Sequence, residues 1–307
     1  MAKIPFYKMT GCGNDFIIID NRQKILDADR LGDLVQKACA HKLSAGADGL
    51  VLIEPSQKVN FKWRFFNSDG SVGEMCGNAA RCVARFAVLK GIAPPKMAFE
   101  TLAGVIEAEV EGRQIKVLMV PPTGLKLDID VPIDGQSHQM HFVNTGVPHA
   151  VKFVENAASV SVKDWGKKVR FHSQFQPAGT NANFVQVVDR KHMKVRTYER
   201  GVEDEILVCG TGVVASALIA AKKGFVDSPV EVQTSGGEIL KIYFQPKGDE
   251  FDGVFLEGDA RVVYEGELWE EAYKYSRYKA HGARVKGQGS RKKGQGFSNC
   301  QAKYSEF

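Results

Sequence analysis

Two Cys-Gly pairs in this 307-residue chain stand where thiol chemistry is favoured. Cys76-Gly77 and Cys209-Gly210 each come directly before a stretch that is apolar nearly all round and helical in pattern. Unpaired backbone N–H groups and the positive end of the helix dipole lower the pKa of a thiol at a helix N-terminus. A lone cysteine is more commonly a small core residue. Two of them at matched positions favour a functional pair instead.

Such a pair of thiols suits one kind of reaction. Inversion at a carbon needs one group to remove a proton from one face and another to deliver a proton to the opposite face. Two helix N-termini would also donate backbone N–H groups to a substrate carboxylate and stabilise the enolate-like charge. This chemistry demands no electron-sink cofactor, and we expect none. Gly11-x-Gly13 leads into an apparent strand, so it does not predict a dinucleotide site.

An internal repeat indicates which elements position the two thiols. Sliding the sequence against itself by 133 residues gives nine identities in the 31 positions from 76 to 106, where roughly two are expected by chance. The repeated pattern is a Cys-Gly pair, an apolar helix, a glycine stop and a strand. We therefore predict an α+β fold of two homologous domains related by a pseudo-twofold axis. Each is expected to be a mixed β-sheet or barrel around one buried helix, with the active site in the interdomain cleft.

Turn signals and hydrophobic patterns place the elements and the domain boundary. The boundary is predicted at Pro121–Gly124, which gives an N-terminal domain at 1–122, a C-terminal domain at 123–262 and 263–275 as a candidate segment completing the first. Strands are predicted at Asp15–Asp20, Gly49–Ile53, Phe61–Phe66, Gly104–Val110 and Gln114–Val120. Helices are predicted at Asp29–Lys42, from about Cys76 to Lys90, and at Val213–Ala221.

Composition narrows the class of protein. Hydrophobic residues make up 44% of the chain and charged residues 25%, as in soluble globular proteins. Its longest strongly apolar run falls far short of the roughly 18 residues of a membrane span, and the first residues do not resemble a secretory signal. We expect a cytoplasmic protein with no membrane partner, whose six cysteines are reduced thiols.

The positive charge is concentrated at one end of the chain. Residues 276–307 hold eight basic residues against Glu306 alone, a net charge of +7, so the remaining body carries −2 of the total of +5. This tail is rich in Gly, Ser and Gln, and we expect it to be disordered. Nucleic-acid binding is therefore not expected of the body, and a role in contacting RNA or an acidic partner is a minor alternative for the tail.

Other polar residues of the body receive structural interpretations. His138 and His141 would face opposite sides of a strand, so together with His149 they do not predict a metal site. Arg81 and Arg85 are one turn apart on an otherwise apolar helix, and we interpret them as an ordinary solvated or ion-paired stripe in preference to an anion site. The other cysteines of the body are interpreted as structural: Cys12, Cys39 and Cys82.

Several motifs, taken in order, resemble the diaminopimelate epimerase family. They are Gly11–Phe16, Asn67–Ser71 leading to Met75–Cys82, Thr145–His149, and Glu199–Gly201 leading to Cys209–Gly212. The resemblance runs from about residue 5 to 270 and implies a cytoplasmic, typically homodimeric isomerase that needs no PLP. Members interconvert LL- and meso-diaminopimelate for the synthesis of lysine and peptidoglycan precursors.

The resemblance also implies roles for single residues. Cys76 and Cys209 match the acid/base pair, and His149 and Glu199 match groups that assist thiol deprotonation. Two dipeptides, Gly77-Asn78 and Gly210-Thr211, match those that hold the reacting carboxylate. The positions that hold the distal amino-acid end or orient the thiols match Asn14, Asn67, Asn181, Glu199 and Arg200. A bidentate guanidinium fork suits Arg200 to a carboxylate.

Two departures and two alternatives accompany this interpretation. Val147 stands where many family members have Asn, and Gly49 where some have Gln, so one or two substrate hydrogen bonds are made otherwise or by water. One alternative is a related cofactor-independent racemase acting on another amino acid, such as histidine or proline. The other is a nucleic-acid-binding protein on a retired enzyme fold.

Overall fold

Two successive stretches of the chain build the same arrangement of strands around one helix each. The computed structural model describes residues 3–26, 31–248 and 250–275; the tail predicted at 276–307 lies outside these residues. The helices are α1 (Leu31–Ala38), α2 (Gly77–Leu89), α3 (Val162–Arg170) and α4 (Gly210–Lys222). The strands are β1 (Ile4–Gly11), β2 (Asn14–Asp20), β3 (Gly49–Glu54), β4 (Phe61–Asn67), β5 (Val72–Gly73), β6 (Lys96–Thr101), β7 (Gly104–Glu111), β8 (Gln114–Leu118), β9 (Thr123–Ile133), β10 (Gln136–Asn144), β11 (Pro148–Phe153), β12 (Asn181–Val187), β13 (His192–Glu199), β14 (Asp204–Ile206), β15 (Val230–Thr234), β16 (Ile239–Lys247), β17 (Glu250–Asp259) and β18 (Arg261–Leu268).

Strand pairing repeats between the two stretches. In the first, β1 pairs antiparallel with β2, β2 parallel with β3, β3 antiparallel with β4, and β4 parallel with β6. In the second, β10, β11, β12, β13 and β15 pair in the same order with the same directions. Both series end in an antiparallel meander, β6-β7-β8 and β15-β16-β17. The predicted α+β fold with an internal pseudo-twofold repeat is confirmed.

Each repeat buries one helix in its own core. α2 and α4 are both 13 residues long and start 133 residues apart, in agreement with the offset of the sequence repeat. Val83 and Phe86 of α2 pack in a cluster with Phe61 and Phe99 of the surrounding strands. The α4 side chains pack in a second cluster, and its buried Ser216 donates its hydroxyl hydrogen to Gly212 O at 2.7 Å within the helix. Both helices are therefore held within the strands, and each begins directly after one of the two cysteines.

Two strand pairs connect the repeats. β8 pairs antiparallel with β17, so that Leu118 lies opposite Phe255. In the second connecting pair, β18 returns to β1 and pairs antiparallel with it, so that Leu268 lies opposite Ile4. β9 pairs antiparallel with β10, the next strand along the chain. The eighteen strands in the described ranges therefore form one continuous hydrogen-bonded sheet. The domain limits at residues 122 and 262 stay a prediction.

The first helix is the element that differs most from its prediction. α1 ends at Ala38, four residues before the predicted end at Lys42, and the start predicted at Asp29 lies outside the described residues. The carbonyl of Ala38 accepts a hydrogen bond from Gly46 N at 3.1 Å, and Lys42 has a left-handed φ of 67°. The chain therefore turns back on the helix end before the helical pattern of the sequence runs out. Among the helices described, none combines the length and the apolar character that a bilayer crossing needs.

Candidate active site

Cys76 lies at the start of the buried helix of the first repeat. It is the N-cap residue of α2, with an extended backbone (φ −146°, ψ 117°), and its half-buried side chain makes no capping hydrogen bond. Burial raises the pKa of the Cys76 thiol. The backbone N–H groups of Ala79 and Asn78 and the charge of Arg81 lower the same pKa, and the charge of Glu199 raises it. These amides and this cation would stabilise a thiolate against the cost of burial.

Cys209 occupies the same place in the second repeat. It is the N-cap residue of α4, also with an extended backbone (φ −119°, ψ 102°), and it is buried. Burial raises the pKa of the Cys209 thiol to about 12, and the charge of Glu199 acts in the same direction. The Thr211 hydroxyl, 3.5 Å from Cys209 Sγ, and the N–H of Gly212 act in the opposite direction. This thiol therefore holds its proton more firmly than a free cysteine does.

Glu199 is the group that both thiols have in common. It is the last residue of β13, and its carboxylate accepts a hydrogen bond from Cys209. Its charge also reaches Cys76 from the other repeat. Burial raises the pKa of Glu199, and the bond from Cys209 partly opposes that shift. The structure therefore brings together three of the four predicted catalytic residues: Cys76, Cys209 and Glu199.

His149, the fourth, reaches Cys209 through Thr211. Its Nε2 lies 3.0 Å from Thr211 Oγ1, and its Nδ1 lies 3.1 Å from Asn183 Nδ2. Because Asn183 Nδ2 is a donor, Nδ1 accepts, and the ring hydrogen sits on Nε2 facing Thr211. Burial, followed by the charge of Arg200, lowers the pKa of His149 to about 3. The ring is neutral at physiological pH and orients the threonine hydroxyl.

Close packing behind Cys209 requires glycine at position 212. A Cβ at Gly212 would lie 2.4 Å from Asn183 Oδ1 and 3.3 Å from Cys209 Sγ. Asn183 is itself held by donation to Ala150 O at 3.0 Å and by the Thr197 hydroxyl at 2.9 Å. The glycine allows the helix start, the thiol and this amide to approach one another.

Asn78 connects the start of α2 to the β1–β2 turn. Its Nδ2 donates to Asn14 Oδ1 at 2.5 Å, and its Oδ1 accepts from Arg81 Nη2 at 2.6 Å. Asn14 Nδ2 in turn donates to Asp48 Oδ2 at 3.0 Å. Two predicted substrate-binding amides, Asn14 and Asn78, are thereby held in one orientation.

Among the remaining predicted binding side chains, Asn181 and Arg200 contact each other, whereas Asn67 is separate from them. Asn181 is buried at the start of β12, and its Oδ1 accepts from Arg200 N at 2.7 Å, while Arg200 Nη1 donates to Ala178 O at 2.7 Å. Asn67 is exposed at the end of β4, and its Nδ2 donates to Ser71 Oγ at 3.0 Å. Within the described ranges, no side-chain hydrogen bond joins Asn67 to another predicted site residue.

The glycines of the site differ in the space around them. A Cβ at Gly77 would meet no atom within 4 Å, and one at Gly210 would only touch Leu256 at 3.4 Å. At Gly49, however, a Cβ would lie 2.7 Å from Phe66 O, so this position admits no side chain. A hydrogen bond to substrate from a side chain at position 49 is therefore impossible here.

The interpretation of Arg81 as a solvated or ion-paired residue is wrong. Its side chain is fully buried, and it takes part in no ion pair among the described residues. The sequence signal that could have indicated this burial is the presence of an arginine in an otherwise apolar helix. Sequence analysis also missed Asp48, Asn183 and Thr197, whose positions follow from strand register and leave no local pattern.

The three histidines considered as metal ligands contact different residues. His138 stacks edge-on against Trp165, whereas the buried His141 accepts a hydrogen bond from Asp128 N at 3.0 Å. Both ring nitrogens of His149 are engaged in hydrogen bonds, one with Asn183 and one with Thr211. In the ranges that the structure describes, no cluster of three or more His, Cys, Asp or Glu side chains is arranged to hold a metal ion.

Solved structures with a similar fold include a phenazine biosynthesis protein of the PhzF family from Bacillus anthracis. It superposes with a TM-score of 0.70 at 15% identity, over 88% of this chain and 100% of the other. A hydroxyproline epimerase from Agrobacterium vitis superposes with a TM-score of 0.64 at 13% identity, over 87% and 92% of the two chains. At these identities the likeness extends to the fold alone.

Sequence relatives are much closer. The family model described as diaminopimelate epimerase matches residues 6–124 and 141–263. The diaminopimelate epimerase of Aquifex aeolicus is 49% identical over 283 residues, which cover 89% of this chain and all of the relative. That of Hydrogenobaculum sp. is 44% identical, over 87% of this chain and 99% of the relative. This chain belongs to the diaminopimelate epimerase family.

Proposed function

We propose that this protein interconverts LL- and meso-2,6-diaminopimelate by two-base proton transfer at the α-carbon, in the synthesis of lysine and peptidoglycan precursors. One observation carries the proposal: two cysteines cap the N-termini of two repeat-related buried helices, and one carboxylate, Glu199, reaches both of them. Membership of the family and the activity for which its relatives are named support this choice of substrate.

The proton transfers balance without a cofactor. In one direction the Cys76 thiolate removes the α-proton, so the C–H bond breaks as an S–H bond forms. The electron pair moves into the carboxylate, whose enolate-like charge is stabilised by the N–H groups of Gly77, Asn78, Gly210 and Thr211 at the two helix starts. Cys209 then gives its proton to the opposite face and becomes the thiolate. The reverse reaction exchanges the two roles.

Glu199 and His149 assist Cys209 in different ways. Glu199 accepts the Cys209 hydrogen bond directly, so it orients the S–H group and disfavours the thiolate while it is charged. His149 is neutral and acts through Thr211, whose hydroxyl lies between the ring and the sulfur. We therefore assign His149 to holding Thr211 in place, and proton exchange at Cys209 to Glu199 and the substrate.

Recognition of the distal amino-acid end is assigned to Arg200 and the amides. Arg200 keeps one guanidinium nitrogen on Ala178 O, which leaves other N–H groups for a carboxylate. Asn181 supports Arg200 through its backbone N–H, and Asn14 is held by Asn78 and Asp48. We include Asn67 as a further substrate contact.

Exchange of α-protons in D₂O tests the function. The protein would be incubated separately with LL-diaminopimelate, histidine and hydroxyproline, and loss of the α-proton signal would be followed by NMR. We expect exchange and inversion with LL-diaminopimelate. Exchange with only histidine or hydroxyproline would assign the protein to another racemase activity. Absence of exchange with all three would contradict an enzymatic function and favour the nucleic-acid-binding alternative.

We also propose a cytoplasmic homodimer. The five cysteines within the described residues are free thiols, and a two-thiol mechanism needs a compartment in which they stay reduced. Light scattering coupled to size exclusion would measure the mass in solution. A single species of about 34 kDa would contradict the dimer, since the chain itself has a mass of 33.7 kDa.

A further inference from the structure

Lys8 is a buried lysine of the first repeat to which the proton transfers assign no role. It lies on β1 and is only 6% exposed. Its Nζ donates to Gly46 O and lies 2.7 Å from Asp15 Oδ2. A lysine is almost never buried unless it is paired, because its ammonium loses hydration. One buried cation therefore joins two parts of the chain: β2, through Asp15, and the segment between α1 and β3, through Gly46.

Asp15 and Asp48 bind each other's backbone. Asp48 N donates to Asp15 Oδ1 at 2.9 Å, and Asp15 N donates to Asp48 Oδ2 at 3.2 Å. Two negative carboxylates in such an arrangement repel each other. Within the described ranges, the ion pair that reaches these two side chains comes from Lys8. The lysine therefore offsets the repulsion and holds the two aspartates together.

The same carboxylate of Asp48 determines the orientation of the Asn14 amide. Asn14 Nδ2 donates to Asp48 Oδ2 at 3.0 Å, and Asn14 Oδ1 accepts from Asn78 Nδ2 at 2.5 Å. Because a carboxylate only accepts hydrogen bonds, the NH₂ group of Asn14 must face Asp48. The amide keeps one further N–H and one further lone pair for a ligand. Asn14 therefore presents a donor and an acceptor in one fixed arrangement.

The second repeat forms the corresponding strands without such a lysine. Phe142 takes the place of Lys8 in the strand pairing, and Pro148 stands 133 residues after Asp15. β10, β11 and β12 nevertheless pair in the same directions as β1, β2 and β3. The fold itself therefore does not require the buried ion pair, and a role at the site accounts for its presence in one repeat.

We propose that Lys8 is a positioning residue that, through Asp15 and Asp48, holds the Asn14 amide in the orientation in which it contacts the substrate. Lys8 itself touches neither the substrate nor a reacting atom. This inference deepens the proposed function and rests on it for what Asn14 contacts, whereas the orientation of the amide is a property of the free protein.

Hydrogen exchange of the Asn14 side chain tests the orientation without substrate. The full-length, ¹⁵N-labelled protein would be studied by NMR, with Asn14→Ala used to identify the two NH₂ resonances of Asn14. In the unaltered protein, the hydrogen directed at Asp48 should exchange with water slowly. Lys8→Met removes the cation and should speed this exchange about 10-fold or more, because the aspartate pair then no longer holds the amide.

Two further variants test the same connection and control for charge. Asp15→Asn has the same shape and leaves Lys8 in place, but its amide cannot satisfy both Lys8 and Asp48 N, so exchange at Asn14 should again be faster. Lys37→Met is the matched control, because it breaks a 2.8 Å ion pair with Asp33 on the same repeat. It should leave the exchange rate unchanged. Folding of each variant is checked by circular dichroism.

A double-mutant cycle on turnover tests whether Lys8 acts through Asn14. Lys8→Met should lower kcat/KM for LL-diaminopimelate about 10-fold in the otherwise unaltered protein, since one substrate contact is lost. In the Asn14→Ala background the same substitution should change kcat/KM less than about 2-fold, because residues that act in series are not additive. A merely structural role of Lys8 would give the same factor in both backgrounds.

Several results would overturn the proposal. Unchanged exchange at Asn14 in folded Lys8→Met or folded Asp15→Asn would do so, as would equal factors in the two backgrounds of the cycle. Exchange at Asn14 as fast as at the exposed Asn60 in the unaltered protein would do so even if both variants failed to fold. Absence of turnover in the unaltered protein would contradict the proposed function instead, and the exchange rates would then decide by themselves whether Lys8 holds Asn14.

Discussion

The starts of α2 and α4 have the same backbone conformation and different electrostatic surroundings. Both cysteines are extended N-cap residues at the head of a buried 13-residue helix. The charge of Arg81 acts on Cys76, whereas the charge of Glu199 acts on both thiols. An exact twofold repeat would give two thiols of equal pKa, each as prone as the other to hold the proton. The proposed two-base inversion needs one thiol and one thiolate at the same time, and unequal surroundings of the two thiols are compatible with that need.

The strongest test of the comparison removes each thiol in turn. If both repeats contribute one proton-transfer group, Cys76→Ala and Cys209→Ala should each lower kcat for inversion of LL-diaminopimelate on the order of 10³-fold or more. Cys39→Ala, a buried cysteine after α1, is the control and should retain turnover once any stability loss is allowed for. Steady-state inversion measured by chiral chromatography decides the matter. Retained inversion in either active-site variant would show that the repeats do not share the reaction.

Arg200 belongs to the second repeat alone, since its counterpart at the repeat offset is Asn67. Arg200→Ala should lower kcat/KM for diaminopimelate on the order of 10²-fold or more, because an unpaired distal carboxylate would be left in the site. Arg190→Ala, which breaks an exposed ion pair with Asp227, is the matched control. The loss should be much smaller with an amino acid that lacks the distal carboxylate. An equal loss for both substrates would move Arg200 to the reacting end.

A smaller effect is expected at Thr211, whose hydroxyl contacts the second thiol. Thr211→Val removes the group between His149 and Cys209 and leaves the ring hydrogen without its partner, so kcat/KM should fall about 10-fold. Ser216→Ala on the same helix removes a hydroxyl that bonds only within α4. Kinetics for both variants are compared at one pH. Equal effects would mean that Thr211 contributes to the helix and not to the thiol.

The buried His149 gives the second repeat a dependence of stability on pH. Its folded pKa of about 3 lies below the ordinary value of 6.5, so the unfolded chain binds the additional proton between these values. Stability should therefore decrease as pH falls through this window, by about 1.4 kcal/mol per pH unit for this group. Urea unfolding at pH 6 and pH 4.5 is compared with that of His149→Gln, which should lack this part of the slope.

His138→Gln provides the matched histidine control. His138 is half-buried on β10 and stacks against Trp165, so its replacement removes a histidine from the same repeat without touching the site. The difference in unfolding free energy between the two pH values should stay as in the unaltered protein. A slope in His149→Gln equal to that of the unaltered protein would mean that the ring is protonated in the folded state.

Fold and chemistry differ in how far local sequence determines them. Contiguous residues determine each apolar helix, its glycine stop and the strand that follows. The repeat and the positions of the two cysteines are therefore predictable from the sequence. Residue types at motif positions further indicate Asn14, Asn181 and Arg200. The end of α1 is not predictable in this way, because hydrogen bonds from Gly46 and Ala47 to the helix end decide it.

The contacts that distinguish the thiols depend on tertiary structure. Glu199 reaches Cys209 because β13 ends beside the start of α4, and Asn183 reaches His149 because β11 and β12 run parallel in one register. Arg81 is visible in the sequence as a charge in an apolar helix, but its burial is not. α2 packs against β1, β2, β7 and β8. A Cβ at Gly258, within β17, would lie 3.2 Å from Arg81 Nε. Only assembled structure supplies these distances.

The return of β18 to β1 sets an order of assembly during translation. All strands from β9 to β17 follow one another along the chain, so the second repeat has its complete set once residue 259 has left the ribosome. The first repeat, although made earlier, has an unpaired β1 edge until residues 261–268 emerge. Domains generally fold as units from the N-terminus as they are synthesised. In this chain the half that is made first is finished last, and until then its nascent edge strand is open to wrong partners.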